Sequence, residues 1–190
     1  MKKLDAKMFN KKASNPKNKP DEIIKSLKIL PGQNIADIGS GGGYFSFRFA
    51  ELVGKEGKVY SIDTNKELLE YISNNVKQKN NINIILATEE NIPLPECVID
   101  LIFMRNAYHH ITNRIEYMKK LKKLLKSDGK VAIIEYKKRG RSFVSHRPSD
   151  HYVIPDVIIK EMETVGYQVE EQYFFLPEQS FNIFSMHKKL

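Results

Sequence analysis

The sequence predicts an α/β domain with a doubly wound, mostly parallel seven-stranded sheet that ends in an antiparallel hairpin. Three observations lead there. Short apolar runs alternate with amphipathic stretches from residue 34 onward, and a cluster of glycines separates the first run from the stretch that follows it. Two β-rich segments then succeed one another directly near the end of the chain.

The elements follow in order. Residues 1–20 are rich in lysine and asparagine, end in Pro16 and Pro20 and carry few apolar anchors, so they read as a mobile arm before a single domain over 21–190. Asp21 is a good helix cap, followed by Ile23, Ile24, Leu27 and Leu30 at helical spacing, and Pro31-Gly32 ends that helix. Strand-like runs lie at 34–38, 58–62, 82–87, 99–104 and 130–135, with helical patterns at 45–52, 66–77 and 113–126 between most of them. The strands are nearly continuous apolar runs, which suits a parallel sheet covered on both faces. On 113–126, Tyr117, Met118, Leu121, Leu124 and Leu125 form a buried stripe, and Lys119, Lys120, Lys122, Lys123 and Lys126 a solvated face. A helix near 155–165 precedes strands at 167–175 and 181–187, with Pro177-Glu178-Gln179-Ser180 as the hairpin turn.

Composition narrows the class. At 190 residues, 41% hydrophobic and 28% charged, the chain fits one soluble globular domain. No apolar run approaches the roughly 20 residues that span a bilayer, and Met1-Lys2-Lys3-Leu4-Asp5 lacks the apolar stretch of a secretory signal. Cys97 is the single cysteine, which excludes an intrachain disulfide and a cysteine-based metal site and makes a reducing cytoplasm the expected location. The net charge of +8 fits a lysine-rich soluble surface; an anionic substrate or nucleic acid is the alternative.

Four of the ten glycines fall within Gly39-Ser40-Gly41-Gly42-Gly43, directly after a strand and before a helix. Glycines there allow a sharp turn and close approach of a ligand to the backbone. Asp63 ends the next strand, where a carboxylate can accept from ribose hydroxyls. A dinucleotide fingerprint needs a third glycine at position 44, which is Tyr44; the chain instead offers D-x-G-x-G-x-G through Asp37, Gly39, Gly41 and Gly43. Asp37 suits the ammonium group of an aminoacyl sulfonium nucleoside better than a pyrophosphate.

With Asp63 and the later Leu124-Leu125-Lys126-Ser127-Asp128-Gly129, this turn resembles the class I S-adenosylmethionine-dependent methyltransferases, a Rossmann-like fold. The likeness covers roughly residues 20–135 and is greatest to the small-molecule branch with the ubiquinone/menaquinone and arsenite methyltransferases. It implies S-adenosylmethionine as cofactor, S-adenosylhomocysteine as product, and a small-molecule acceptor. By the same resemblance, Asp37, Gly39, Ser40, Gly41, Gly43 and Tyr44 surround the methionine and ribose portion, Asp63 holds the ribose hydroxyls, and Thr64 and Leu68 lie beside the adenosine. Thr88 or Glu89 contacts the adenine where the family usually has an aspartate. The backbone at Met104 and Arg105 meets the methionine end, and Asp100 is structural.

After the fourth strand comes Arg105-Asn106-Ala107-Tyr108-His109-His110. A histidine there can take a proton from the acceptor, an effect of typically about 10²–10⁴-fold; the alternative is a histidine that caps a helix or packs below the cofactor. His109 is read as the contact to the bound cofactor and His110 as the acid/base candidate. Asn106, His109 and His110 include no carboxylate, so no metal is expected. The segment 136–155 carries Lys137, Lys138, Arg139, Arg141, His146, Arg147 and His151 with Tyr136, Phe143 and Tyr152 interspersed, fit for an anionic or aromatic acceptor or for RNA.

Competing readings are an RNA or protein methyltransferase, a nonenzymatic nucleoside-binding protein and a nicotinamide-dependent oxidoreductase. The first is disfavoured because the loop lacks an Asn/Asp-Pro-Pro-aromatic sequence, and the last by Tyr44. Arsenite chemistry is disfavoured by the lone Cys97.

Overall fold

The computed structural model describes residues 5–76, 80–88, 91–137 and 152–186. Its centre is a seven-stranded sheet of order β3-β2-β1-β4-β5-β7-β6. The strands are β1 Asn34–Ile38, β2 Lys58–Asp63, β3 Ile82–Leu86, β4 Ile99–Arg105, β5 Leu125–Tyr136, β6 Tyr167–Tyr173 and β7 Gln179–Met186. The first five run parallel, and β7 pairs antiparallel with both β5 and β6, so β7 alone opposes the rest. The hairpin is as the sequence predicts, but the last strand slots inside the sheet and leaves β6 at the edge. Gln179 and Ser180 belong to β7, not to the turn, because they pair with Tyr136 and Glu135 of β5.

The helices are α1 Ala6–Ala13, α2 Pro20–Leu27, α3 Tyr44–Val53, α4 Lys66–Asn75, α5 Arg114–Leu124 and α6 Pro155–Val165. They bury two apolar clusters, one on each face of the sheet. Met104, Tyr108, Met118, Leu121 and Met162 belong to the first; Phe45, Phe49, Leu101 and Phe103 belong to the second. Each fully buried aromatic there contributes about 1.5–3 kcal/mol relative to exposure. Of the predicted stripe, Tyr117, Met118, Leu121 and Leu124 are buried on α5, while Leu125, also buried, opens β5 instead of ending the helix. Lys126, expected on the solvated face of the helix, lies within β5 instead and pairs with Asp100 at 2.8 Å, while Asp100 also accepts from Asn34 N. Among the described residues no helix is long and apolar enough to cross a membrane.

Residues 5–20 differ from the predicted arm. Asp5 caps α1 by accepting from Lys7 N, and a 3-10 turn at Pro16–Asn18 leads into α2. Composition gives this helix few core residues, only Ala6 and Ala13 being buried. It is held by polar contacts across the chain: Asn10 Nδ2 donates to Gly42 O at 2.8 Å and Asn10 Oδ1 accepts from Tyr44 N at 3.1 Å.

Candidate active site

In a doubly wound sheet the crevice opens at the carboxyl ends of the strands where their order reverses. Here that point lies between β1 and β4. A cavity of about 830 Å³ opens there, lined by the ends of β1, β2 and β4, the glycine turn, α1 and the segment after β4. Such a volume suits a cofactor together with part of a small substrate.

The glycine turn is shaped by steric necessity at two positions. A Cβ on Gly39 would stand 2.6 Å from the Ala107 Cβ, and one on Gly42 would stand 2.3 Å from Ala6 O. The turn is therefore wedged between the segment after β4 and α1. Asp63 braces it, Oδ2 accepting from Gly41 N and Oδ1 from Asn65 N, both at 2.9 Å. Asp37 is buried and takes a 2.5 Å hydrogen bond from Ser46 Oγ. Burial, chiefly, pushes its carboxyl up to about 7; the Asp63 charge adds to the rise, and the Ser46 hydroxyl and Arg105 oppose it.

Of the sequence-predicted residues, Asp37, Gly39, Ser40, Gly41, Tyr44 and Asp63 line the cavity, as do Thr64, Leu68, Thr88, Met104, Arg105, His109 and His110. Gly43 does not. It caps α3 at φ +83°, and its missing side chain leaves room for Ile72. Glu89 and the basic residues 138–151 lie outside the described residues. Thr88 Oγ1 accepts from Asn91 N at 3.0 Å, closing a small turn. Two polar atoms at the cavity are shielded from water with no hydrogen-bond partner among the described residues, Ser40 Oγ and Arg105 Nε. Orphans of this kind carry a desolvation cost that a ligand can relieve. Ser40 Oγ, together with the glycine cradle and the strand-end carboxylate, fits a nucleoside with an amino-acid tail.

On the substrate side the sequence missed a residue. Glu135, fully buried in β5, accepts from His109 Nδ1 at 2.9 Å and from His109 N at 3.1 Å through Oε2, and from Tyr136 N at 2.7 Å through Oε1. The expectation put the acid/base role on His110, yet the buried carboxylate partner belongs to His109, whose side chain is 5% exposed. The two imidazoles lie against one another, centroids 4.0 Å apart. The signal available in the sequence was a carboxylate closing the apolar run Val131-Ala132-Ile133-Ile134 of a central strand. A carboxylate there must find donors within the protein.

Neighbouring contacts fix this segment. Asn106 adopts φ +54°, a conformation asparagine tolerates, and its Oδ1 accepts from Gln179 Nε2 at 2.5 Å. Tyr108 is buried and donates to Glu161 Oε2 at 2.8 Å, while Arg114 grips both oxygens of Glu161. The histidines thus stand on a short 3-10 turn pinned at both ends.

Residues 29–171 match the family model of a methyltransferase domain. Among similar proteins, the ubiquinone/menaquinone biosynthesis C-methyltransferase UbiE of Shewanella sediminis (strain HAW-EB3) is 27% identical over 158 residues, covering 82% of this chain and 62% of that protein. UbiE of Francisella tularensis subsp. novicida (strain U112) is 28% identical over 120 residues, 62% of this chain and 48% of that protein. This chain therefore spans only about half to three fifths of these relatives' length. The crystal structure of a SAM dependent methyltransferase from Aquifex aeolicus superposes with a TM-score of 0.83 at 25% identity, covering 96% of this chain and 98% of that one. With the domain model matched over most of its length, the chain belongs to the methyltransferase domain family, in its S-adenosylmethionine-dependent class.

Proposed function

We propose that this protein moves the methyl group of S-adenosylmethionine to a nucleophilic atom of a small-molecule acceptor, with His109 as the proton acceptor. The observation that carries the reading is that one cavity is lined both by the acid-braced glycine turn and by His109, whose Nδ1 is held from behind by the buried Glu135. The relatives named for ubiquinone/menaquinone biosynthesis support a small acceptor.

When bound, S-adenosylmethionine supplies a methyl group already activated on a sulfonium. The chain supplies position and proton handling. Asp63 and Ser40 would hold the nucleoside and its tail, Asp37 would take the ammonium group, and Thr64, Leu68, Thr88 and Met104 would line the rest. Alignment of two reactants can lower a barrier by about 7–11 kcal/mol. The Glu135 carboxylate accepts from Nδ1–H, so the neutral imidazole of His109 keeps its proton on Nδ1 and its lone pair on Nε2. Nε2 then takes the proton that the acceptor's nucleophile gives up as the methyl bond forms.

The test has two stages. Calorimetry with S-adenosylhomocysteine should show binding, and labelled S-adenosylmethionine incubated with metabolite fractions and with RNA should mark a small product. No binding at millimolar ligand by a folded sample defeats the cofactor assignment. Label found in RNA alone defeats the acceptor class.

A further inference from the structure

Arg105 ends β4 inside the cavity, its guanidinium 5.5 Å from the Phe45 ring. Among the described residues it forms no ion pair or hydrogen bond, and its Nε is shielded from water. A guanidinium does not give up its proton in a protein, so the charge remains, and its desolvation is offset only at a distance, with no direct ion pair or hydrogen bond. The carboxylates within its electrostatic range are Asp37 and Glu135, and both are engaged elsewhere, with Ser46 and with His109.

The charge map of the cavity says which ligand would supply the missing anion. Its acids, Asp37 and Asp63, sit at the ends of β1 and β2 around the glycine turn; its cations, Arg105 and Lys12, lie toward β4 and Tyr136. The donor's amino-acid tail has Ser40 Oγ, the other unpartnered buried atom, on the acidic side. We propose that Arg105 is the seat for a carboxylate carried by the methyl acceptor, so that the substrate is a small organic acid. This deepens the methyltransferase reading and rests on it. The planar fork of arginine matches a carboxylate with two parallel hydrogen bonds, which a lysine cannot reproduce. The seat lies near Glu135, and hence near His109, so an anchored acid would present its nucleophile beside the base.

The test is calorimetry on the full chain loaded with S-adenosylhomocysteine. Acetate and benzoate are titrated against their neutral isosteres acetamide and benzamide, on the native protein, R105M and R105K. The native protein should prefer the carboxylates by on the order of ten-fold or more. R105M should lose that preference and R105K keep part of it, while the affinity for S-adenosylhomocysteine moves by less than about two-fold in either. Equal binding of acid and amide by the native protein overturns the proposal. So does a loss of S-adenosylhomocysteine affinity in R105M of about ten-fold, which would hand the seat to the donor's own carboxylate. If S-adenosylhomocysteine fails to bind the native protein, the cofactor reading falls; the same titrations on the unliganded protein still decide whether Arg105 takes a carboxylate.

Discussion

Glu135 Oε2 accepts twice from one residue, at 3.1 Å from the backbone N–H of His109 and at 2.9 Å from its Nδ1. The pair fixes both where the imidazole stands and which nitrogen carries its proton. Long-range proton–nitrogen NMR spectra should therefore report the Nδ1-protonated tautomer for neutral His109, and E135Q should weaken that bias. Once an acceptor is known, E135Q should lose on the order of 10²-fold in kcat with little change in S-adenosylhomocysteine affinity. E135A should be the more damaging to folding, since it strands three buried donors at about 1–3 kcal/mol each. An Nε2-protonated ring in the native protein would remove His109 from the role of base.

Asp63→Ala should weaken S-adenosylhomocysteine binding by ten-fold or more, as charge-assisted hydrogen bonds contribute about 1.5–3 kcal/mol. The mutant should also melt lower, because its carboxylate accepts from Gly41 N and Asn65 N. Calorimetry and a melting curve on one sample separate the two effects. An unchanged dissociation constant would reduce Asp63 to a brace for the turn.

Asp37 predicts a pH dependence. Its folded carboxyl is raised to about 7 from an ordinary 3.8, so between those values the folded state holds a proton that the unfolded chain has lost. Stability from this group is present below about pH 4 and is lost as pH rises through about 7. D37N should remove that decline. An ammonium group beside Asp37 favours the ionised form, so binding of S-adenosylhomocysteine should tighten from pH 6 to pH 8 and release protons near neutrality. Calorimetry in buffers of different ionisation enthalpy counts those protons. A pH-independent affinity with no proton release would place the ammonium elsewhere.

Asn10 ties α1 to the glycine turn through two hydrogen bonds, each contributing about 0.5–1.5 kcal/mol. N10A should free α1, speeding hydrogen exchange over residues 6–13 and dissociation of S-adenosylhomocysteine, with the sheet unaffected. Equal protection of that segment in N10A and the native protein would show that packing of Ala6 and Ala13 suffices.

The sheet was legible because its strands are apolar runs of ordinary length and its helices carry clean stripes, as Tyr117, Met118, Leu121 and Leu124 illustrate. The glycine turn was legible because its chemistry is local. What escaped were contacts joining residues far apart in the chain. Asn10 looks like one more polar residue in a lysine-rich stretch until its partner 32 residues away is seen. Glu135 looks like the polar end of a strand, and its value lies in His109, 26 residues earlier. Gln179 reads as a turn residue because glutamine beside proline and glutamate is turn-like, yet it is buried against Asn106. Gly43 shows that a motif glycine can also serve packing: it caps α3 at φ +83° and leaves room for Ile72.

The contact between Gln179 and Asn106 has a consequence for how such a protein diversifies. The late-arriving strand β7 reaches back to hold the segment that carries the histidines, while the nucleoside side rests on β1, β2 and their own turns. On the proposed reading of His109, substitutions in the β6–β7 hairpin would re-aim it and reshape what the protein accepts, without disturbing how it holds its donor. Lineages sharing this scaffold would then differ most in their last forty residues and the stretch after β4, and least around Asp37 and Asp63. Grafting a foreign β6–β7 hairpin onto this chain would be a direct route to a changed acceptor with the original donor affinity kept.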